Sequence, residues 1–124
     1  MTDDVLFFFE RAPLALGLFE LLEERAMERW PSSTLRVQHT QITFLDPRGY
    51  FYVSQPRRSG SVLVSFGLSL PLSGPRMLAV SNPAPGRYTH HVRISSPADL
   101  DAELMGWIVA AHEDMAERQR RRKG

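Results

Sequence analysis

The stretch RYTHHVRISSPADLD, Arg87 to Asp101, changes its period half-way along. Successive strand side chains point to opposite faces. Tyr88, His90, Val92 and Ile94 therefore point one way, and Arg87, Thr89, His91 and Arg93 the other. Ser96-Pro97-Ala98-Asp99 then has the order of a helix start: a cap, proline at the first position, an acid at the third. Beyond it Leu100, Leu104, Trp107, Ile108, Ala111 and Met115 recur on one side of a helix. A strand handing over to an amphipathic helix needs one core for both apolar faces. Gly106, inside the helix, costs about 1 kcal/mol against alanine, and a close backbone approach is the expected reason.

The pattern continues outward from this unit. LRVQHTQITFL (Leu35 to Leu45) is rich in β-branched and apolar residues, and Asp46-Pro47-Arg48-Gly49 suits a type I turn into GYFYVSQ. SVLVSFGLSL places Val62, Val64, Phe66, Leu68 and Leu70 on one face and Leu63, Ser65, Gly67 and Ser69 on the other. RMLAV (Arg76 to Val80) reads as a short strand and SNPAPGR as a loop. At the start, Thr2 can cap a short helix, with Asp3 and Asp4 at its positive end. Pro13 opens a second helix, with Ala15, Leu18, Phe19, Leu22 and Ala26 on one face and its glutamates largely opposite. Trp30-Pro31 ends it. The order predicts an α+β two-layer sandwich: a mainly antiparallel sheet of four to six strands, with N- and C-terminal helices on one face. Residues 1–117 form one domain and 118–124 a basic C-terminal tail that continues the last helix.

Composition narrows the function class. A chain of 124 residues suits one core, and without cysteine it has neither disulfides nor thiolate metal sites. No apolar run is long enough to span a bilayer, and MTDDVLFFFER lacks the basic start of a secretory signal. A cytoplasmic location with no membrane partner is expected. The net charge of +1 hides segregation: residues 31–98 hold seven arginines against the single acid Asp46, and residues 99–117 hold six acids and no Lys or Arg. Residues 1–30 are acidic, and RQRRRKG, from Arg118, is strongly basic. Such a pattern bears on partners more than the total does.

The order TQITF, RGYFYV, LVSFGLSL, PRM and GRYTHHVRISSPADLDAELMGWI resembles a small bacterial family, domain of unknown function fifty-six fifty-five. The resemblance spans nearly the whole chain and is most specific from Gly86 to Ile108, with the basic tail outside it. Gln41, Arg76, Arg87, His90 and His91 match positions that look characteristic of the family. The resemblance implies a fold and no established reaction. Relatives attached to nuclease-like proteins give it an associational link to nucleic acid.

Several constellations fail on spacing. HEDMA has Ala116 where a second zinc-binding histidine is needed, and GLSLP has Pro71 in place of the glycine of a nucleophile elbow. No phosphate-cradling glycine loop occurs, so neither cofactor nor metal is expected. His90, on the apolar face, reads as a buried structural histidine under a helix, and His112 as a half-exposed helix residue among acids. His91 shares a polar face with arginines, and the donors Gln41, Arg76, Arg87, His91 and Arg93 form the candidate ligand-binding set. Tyr50 and Tyr52 could add stacking. The chain then reads as a small binding or accessory domain for an anionic ligand, a phosphorylated small molecule or nucleic acid. Two alternatives stand beside it. One is an enzyme using His91 as general acid or base with Arg76 and Arg87. The other is an interaction module pairing through a sheet edge, for example as a homodimer. The arginines also have a plain reading, as counter-charges to the acidic helices and guards of sheet edges.

Overall fold

The period switch at Ile94 marks the centre of the fold in a computed structural model, which describes residues 2–123. Met1 and Gly124, the outer ends of the expected domain and tail, lie outside the described residues. Helices α1 (Asp3–Phe8) and α2 (Pro13–Arg29) come first. Six strands follow: β1 (Thr34–Val37), β2 (Gln41–Leu45), β3 (Gly49–Ser54), β4 (Val62–Leu68), β5 (Ala79–Ala84) and β6 (Arg87–Ile94). A 3-10 turn, Pro97–Asp99, leads into α3 (Ala102–Lys123). The strands form one antiparallel sheet in the order β1-β2-β3-β4-β6-β5, with α2 and α3 on one face. The α+β sandwich is as expected. No helix among the described residues is long and apolar enough to cross a membrane.

Strand alternation sets the two layers. Ile42, Phe44, Phe51, Val64, Phe66 and Val92 meet Phe19 and Leu22 of α2 and Leu104 and Ile108 of α3, all buried. Aromatic rings dominate the middle: Phe44 stacks on Phe51 at 4.2 Å, and Phe19 lies 5.9 Å from Phe44. His90 is fully buried in this layer. Its Nε2 accepts the Leu72 N–H at 2.9 Å, its ring stacks 5.2 Å from Phe66, and its Nδ1 has no partner among the described residues. The structural reading of His90 fits these contacts.

Five local expectations are corrected. β5 runs from Ala79 through Pro83, so residues read as a loop are strand, and Arg76 to Leu78 are not. An edge strand tolerates proline because its outer N–H groups have no ladder partner to lose. The expected Ser96-Pro97-Asp99 cap is present, with Asp99 accepting the Ser96 N–H, but it opens the 3-10 turn, and the α-helix begins only after Asp101, whose Oδ1 accepts the Leu104 N–H at 2.9 Å. A Cβ added at Gly106 would have nothing within 4 Å, so no close approach explains that glycine. Residues 46–48 form a bend in which the Asp46 N–H donates to the Arg48 carbonyl at 2.9 Å, in place of the expected type I turn. Between the pairs Phe44↔Phe51 and Leu45↔Gly49 the ladder gains a residue, Tyr50. A bulge of this kind breaks alternation, and Tyr50 turns to the helix side against Trp30 and His112.

That bulge builds a clasp between the hairpin, the end of α2 and α3. The Asp46 carboxylate accepts hydrogen bonds from Ser32 Oγ at 2.7 Å and His112 Nε2 at 2.7 Å. The His112 ring stacks on Trp30 at 4.5 Å, and Tyr50 Oη bonds Ser33 Oγ at 2.8 Å. His112 is therefore a partly exposed helix residue, as expected, and is held in place by these contacts.

Candidate functional site

The sheet face away from the helices carries a row of side chains across all six strands. Its members, in register, are Arg36, Thr43, Tyr52, Ser65, His91 and Ala79. The neighbouring row is Gln41, Ser54, Leu63 and Arg93. Small residues at the centre leave a recess of about 520 Å³ lined by Gln41, Tyr52, Ser54, Gln55, Leu63 and His91, with His39 and Phe8 at its rim. Pairing of β3 with β4 stops at Tyr52↔Ser65, and a slot of about 290 Å³ opens beyond it towards Gly49 and Gly67.

His91 is the histidine in the wall of the recess, with His39 at its rim. Its Nδ1 shares a 2.7 Å hydrogen bond with Ser65 Oγ, so the ring is fixed while its other edge faces the recess. Burial, with a smaller contribution from His90, holds its pKa below the ordinary histidine value. The ring is thus neutral near pH 7 and gains charge on acidification. Ser65 is fully buried beneath it and is a positioning partner, not an exposed nucleophile.

Arg93 stands beside the recess. Its guanidinium donates to the Gln55 backbone oxygen at 2.7 Å and to Gln55 Oε1 at 3.2 Å. Gln55 has φ 47°, a left-handed conformation that costs a non-glycine residue of order 1–3 kcal/mol. The two-pronged contact from Arg93 helps to hold it there. Burial and nearby Arg57 lower the Arg93 pKa, and among the described residues no carboxylate neutralises this arginine.

The expected set divides into three places. Gln41, His91 and Arg93 share the open face. Arg76 is on the helix side at the start of α3, bonded to Asp101 at 2.9 Å and Glu103 at 3.0 Å, with its guanidinium 5.4 Å from the Trp107 ring. Burial alone would lower its pKa, but these carboxylates raise it. Arg76 is an internal counter-charge because the residues before β5 fold over α3 instead of joining the sheet. Arg87, the first residue of β6, borders a cavity at the far end of α3 with Arg48 and Arg118. An acid–base centre combining His91, Arg76 and Arg87 is therefore not assembled. Of the two tyrosines, only Tyr52 faces the recess. Sequence reasoning misses Ser65, Ser54 and Gln55; the alternation of SVLVSFGLSL already puts Ser65 opposite the core, and the strand register supplies its histidine partner.

Residues 8–115 match the family described as Domain of unknown function (DUF5655). The chain belongs to that family. No curated protein and no solved structure matches it. The DUF5655 match contains every residue lining the recess, and it stops before Arg118. Among the described residues of this DUF5655 domain, no three His, Asp or Glu side chains converge as a metal site.

Proposed function

We propose that this domain is a binding module for an anionic ligand, with the open sheet face as its working surface. One observation carries the reading: among the described residues, the recess that has His91, Gln41 and Tyr52 in its wall and Arg93 beside it has no Asp or Glu in its lining. The only acid of residues 31–98, Asp46, is turned to the helix side and bound to His112. The acidic surfaces of α2 and α3 lie across the core from this face, and the nearest acids, Asp4 and Glu10, border the adjoining pocket beyond Phe8 and His39. Guanidinium and amide donors suit phosphate or carboxylate oxygens, and Tyr52 offers a ring for a planar group. Such a ligand is a phosphorylated small molecule or a nucleic-acid segment.

The test is fluorescence anisotropy with labelled single-stranded and double-stranded oligonucleotides over a salt series, using the full chain. Binding that weakens with salt, and weakens about tenfold in Arg93→Gln or His91→Gln, supports the reading. If neither oligonucleotide binds, the same variants are screened against nucleoside monophosphates and sugar phosphates by thermal shift. No stabilisation by any of them removes the proposal.

A further inference from the structure

A second basic feature lies outside the recess. Where α3 passes the β2–β3 hairpin, a cavity of about 460 Å³ is lined by Arg48, Arg87, Arg118, Arg121 and Arg122, with Gly49 at its edge. The arginines come from three separate elements: the hairpin, the first position of β6, and the last turns of α3. Among the described residues, no Asp or Glu lines the cavity. Arg118 and Arg121 have acidic neighbours one helical turn back, but only at 3.6 Å from Asp114 and 3.5 Å from Glu117. Among the described residues Arg48 and Arg87 have no carboxylate partner.

Favourable interaction with a helix C-terminus accounts for basic residues in the last turns of α3. It does not account for Arg48 and Arg87, which the sheet brings to the same cavity. Arg48 and Arg87 add charge that Asp114 and Glu117 do not pair, and like charges repel one another. Arg118 registers this: burial first, and then Arg87, lower its pKa. The arrangement is also held from beneath. Asp46, two residues before Arg48, is bonded to His112, which lies six residues before Arg118 on the same helix. Gly86, at φ 70°, makes the turn that sets Arg87 at the start of its strand.

We propose that this arginine corner is a seat for a phosphate group, of the phosphomonoester or diphosphate class. Guanidinium forks match phosphate oxygens two at a time, and arginines from three directions can surround one such group. Among the described residues, the cations of the seat are Arg48, Arg87 and the α3 arginines. It does not depend on the open-face recess, with which it shares no lining residue.

The experiment is isothermal titration of the full chain with inorganic pyrophosphate in low-chloride buffer, with sulfate as the comparison anion. The seat predicts saturable pyrophosphate binding, tighter than sulfate. The dissociation constant rises about tenfold in Arg87→Gln and in Arg48→Gln, each removing one charge-assisted fork, and is unchanged in Arg58→Gln, an exposed arginine outside both cavities. Circular dichroism of each variant confirms its fold. A nucleoside diphosphate titrated in parallel separates the sources: tighter binding than pyrophosphate identifies a nucleotide, and equal binding the phosphate group alone. Absence of pyrophosphate binding overturns the seat. So does an equal loss in Arg87→Gln and Arg58→Gln, which marks diffuse charge attraction. Loss of open-face binding in the anisotropy experiment leaves this result untouched.

Discussion

Replacing Asp46 tests whether the clasp between the hairpin and α3 is energetically real. Its carboxylate accepts one hydrogen bond from Ser32 and one from His112, both at 2.7 Å, and the His112 and Asp46 side chains are only 16% and 19% exposed. Hydrogen bonds to a charged group contribute about 1.5–3 kcal/mol when well buried, and the exposed Ser32 side of this cluster contributes less. Asp46→Ala should therefore cost about 2 kcal/mol in urea denaturation at pH 7 with an unchanged m-value. His112→Phe keeps a ring against Trp30 and deletes the bond. A double-mutant cycle with Asp46→Ala should return a coupling of about 1 kcal/mol. The Ser32 bond, then His112, holds the Asp46 pKa below its usual 3.8. A carboxylate with a depressed folded pKa contributes stability that is present above the unfolded value and lost as pH falls through the folded one. The gap between parent and Asp46→Ala should therefore persist at pH 5 and narrow below the ordinary carboxylate range. A cost under about 0.5 kcal/mol with no coupling to His112 would refute the reasoning.

Other consequences are equally direct. Gly49→Ala should destabilise by about 1 kcal/mol, because its Cβ would sit 3.0 Å from the methyl group of Thr43, itself buried; Gly106→Ala should stabilise by about 0.5–1 kcal/mol, since nothing lies within 4 Å there. Parallel thermal melts of the two variants check both signs. Arg76→Ala should change stability by about 1 kcal/mol or less, because its partners Asp101 and Glu103 are 47% and 56% exposed, and should leave open-face binding at the level of the parent. Any anion bound at the recess should bind more tightly as pH falls below 6.5 and through the depressed pKa of His91, and His91→Gln should reduce that gain, as read from dissociation constants across the range. The same shift makes folding less favourable on acidification, because the unfolded chain takes up the His91 proton first.

Much of the fold was legible because it follows from short-range periods. The strand at Arg87 to Ile94, the apolar face of α2 and the alternation of β4 each depend on residues within one element. Features set between elements were hidden. Tyr50 changed faces because the β2–β3 ladder takes in an extra residue, which no alternation within GYFYVSQ reveals. β5 contains Asn82 and Pro83, residues that argue against a strand unless its position at the sheet edge is known. Arg76 lies just before that edge, so its direction depends on how the loop packs over Trp107. The candidate site was legible to the extent that it rested on strand parity: His91 and Arg93 share one face whatever the register. Their meeting with Gln41 and Tyr52, and the strained Gln55 beside Arg93, arise from pairing between distant strands. The arginine corner joins residues as far apart as Arg48 and Arg121 and has no linear signature.

The central claim is that the open sheet face is the ligand surface. Its most direct test is a two-dimensional amide NMR titration of the full chain with a short single-stranded oligonucleotide at low salt, following backbone shifts. The account predicts saturable shifts clustered at Gln41, Tyr52, Gln55, His91 and Arg93, and their loss in His91→Gln. Shifts confined to the arginine corner, or none at all, would contradict it for nucleic acid.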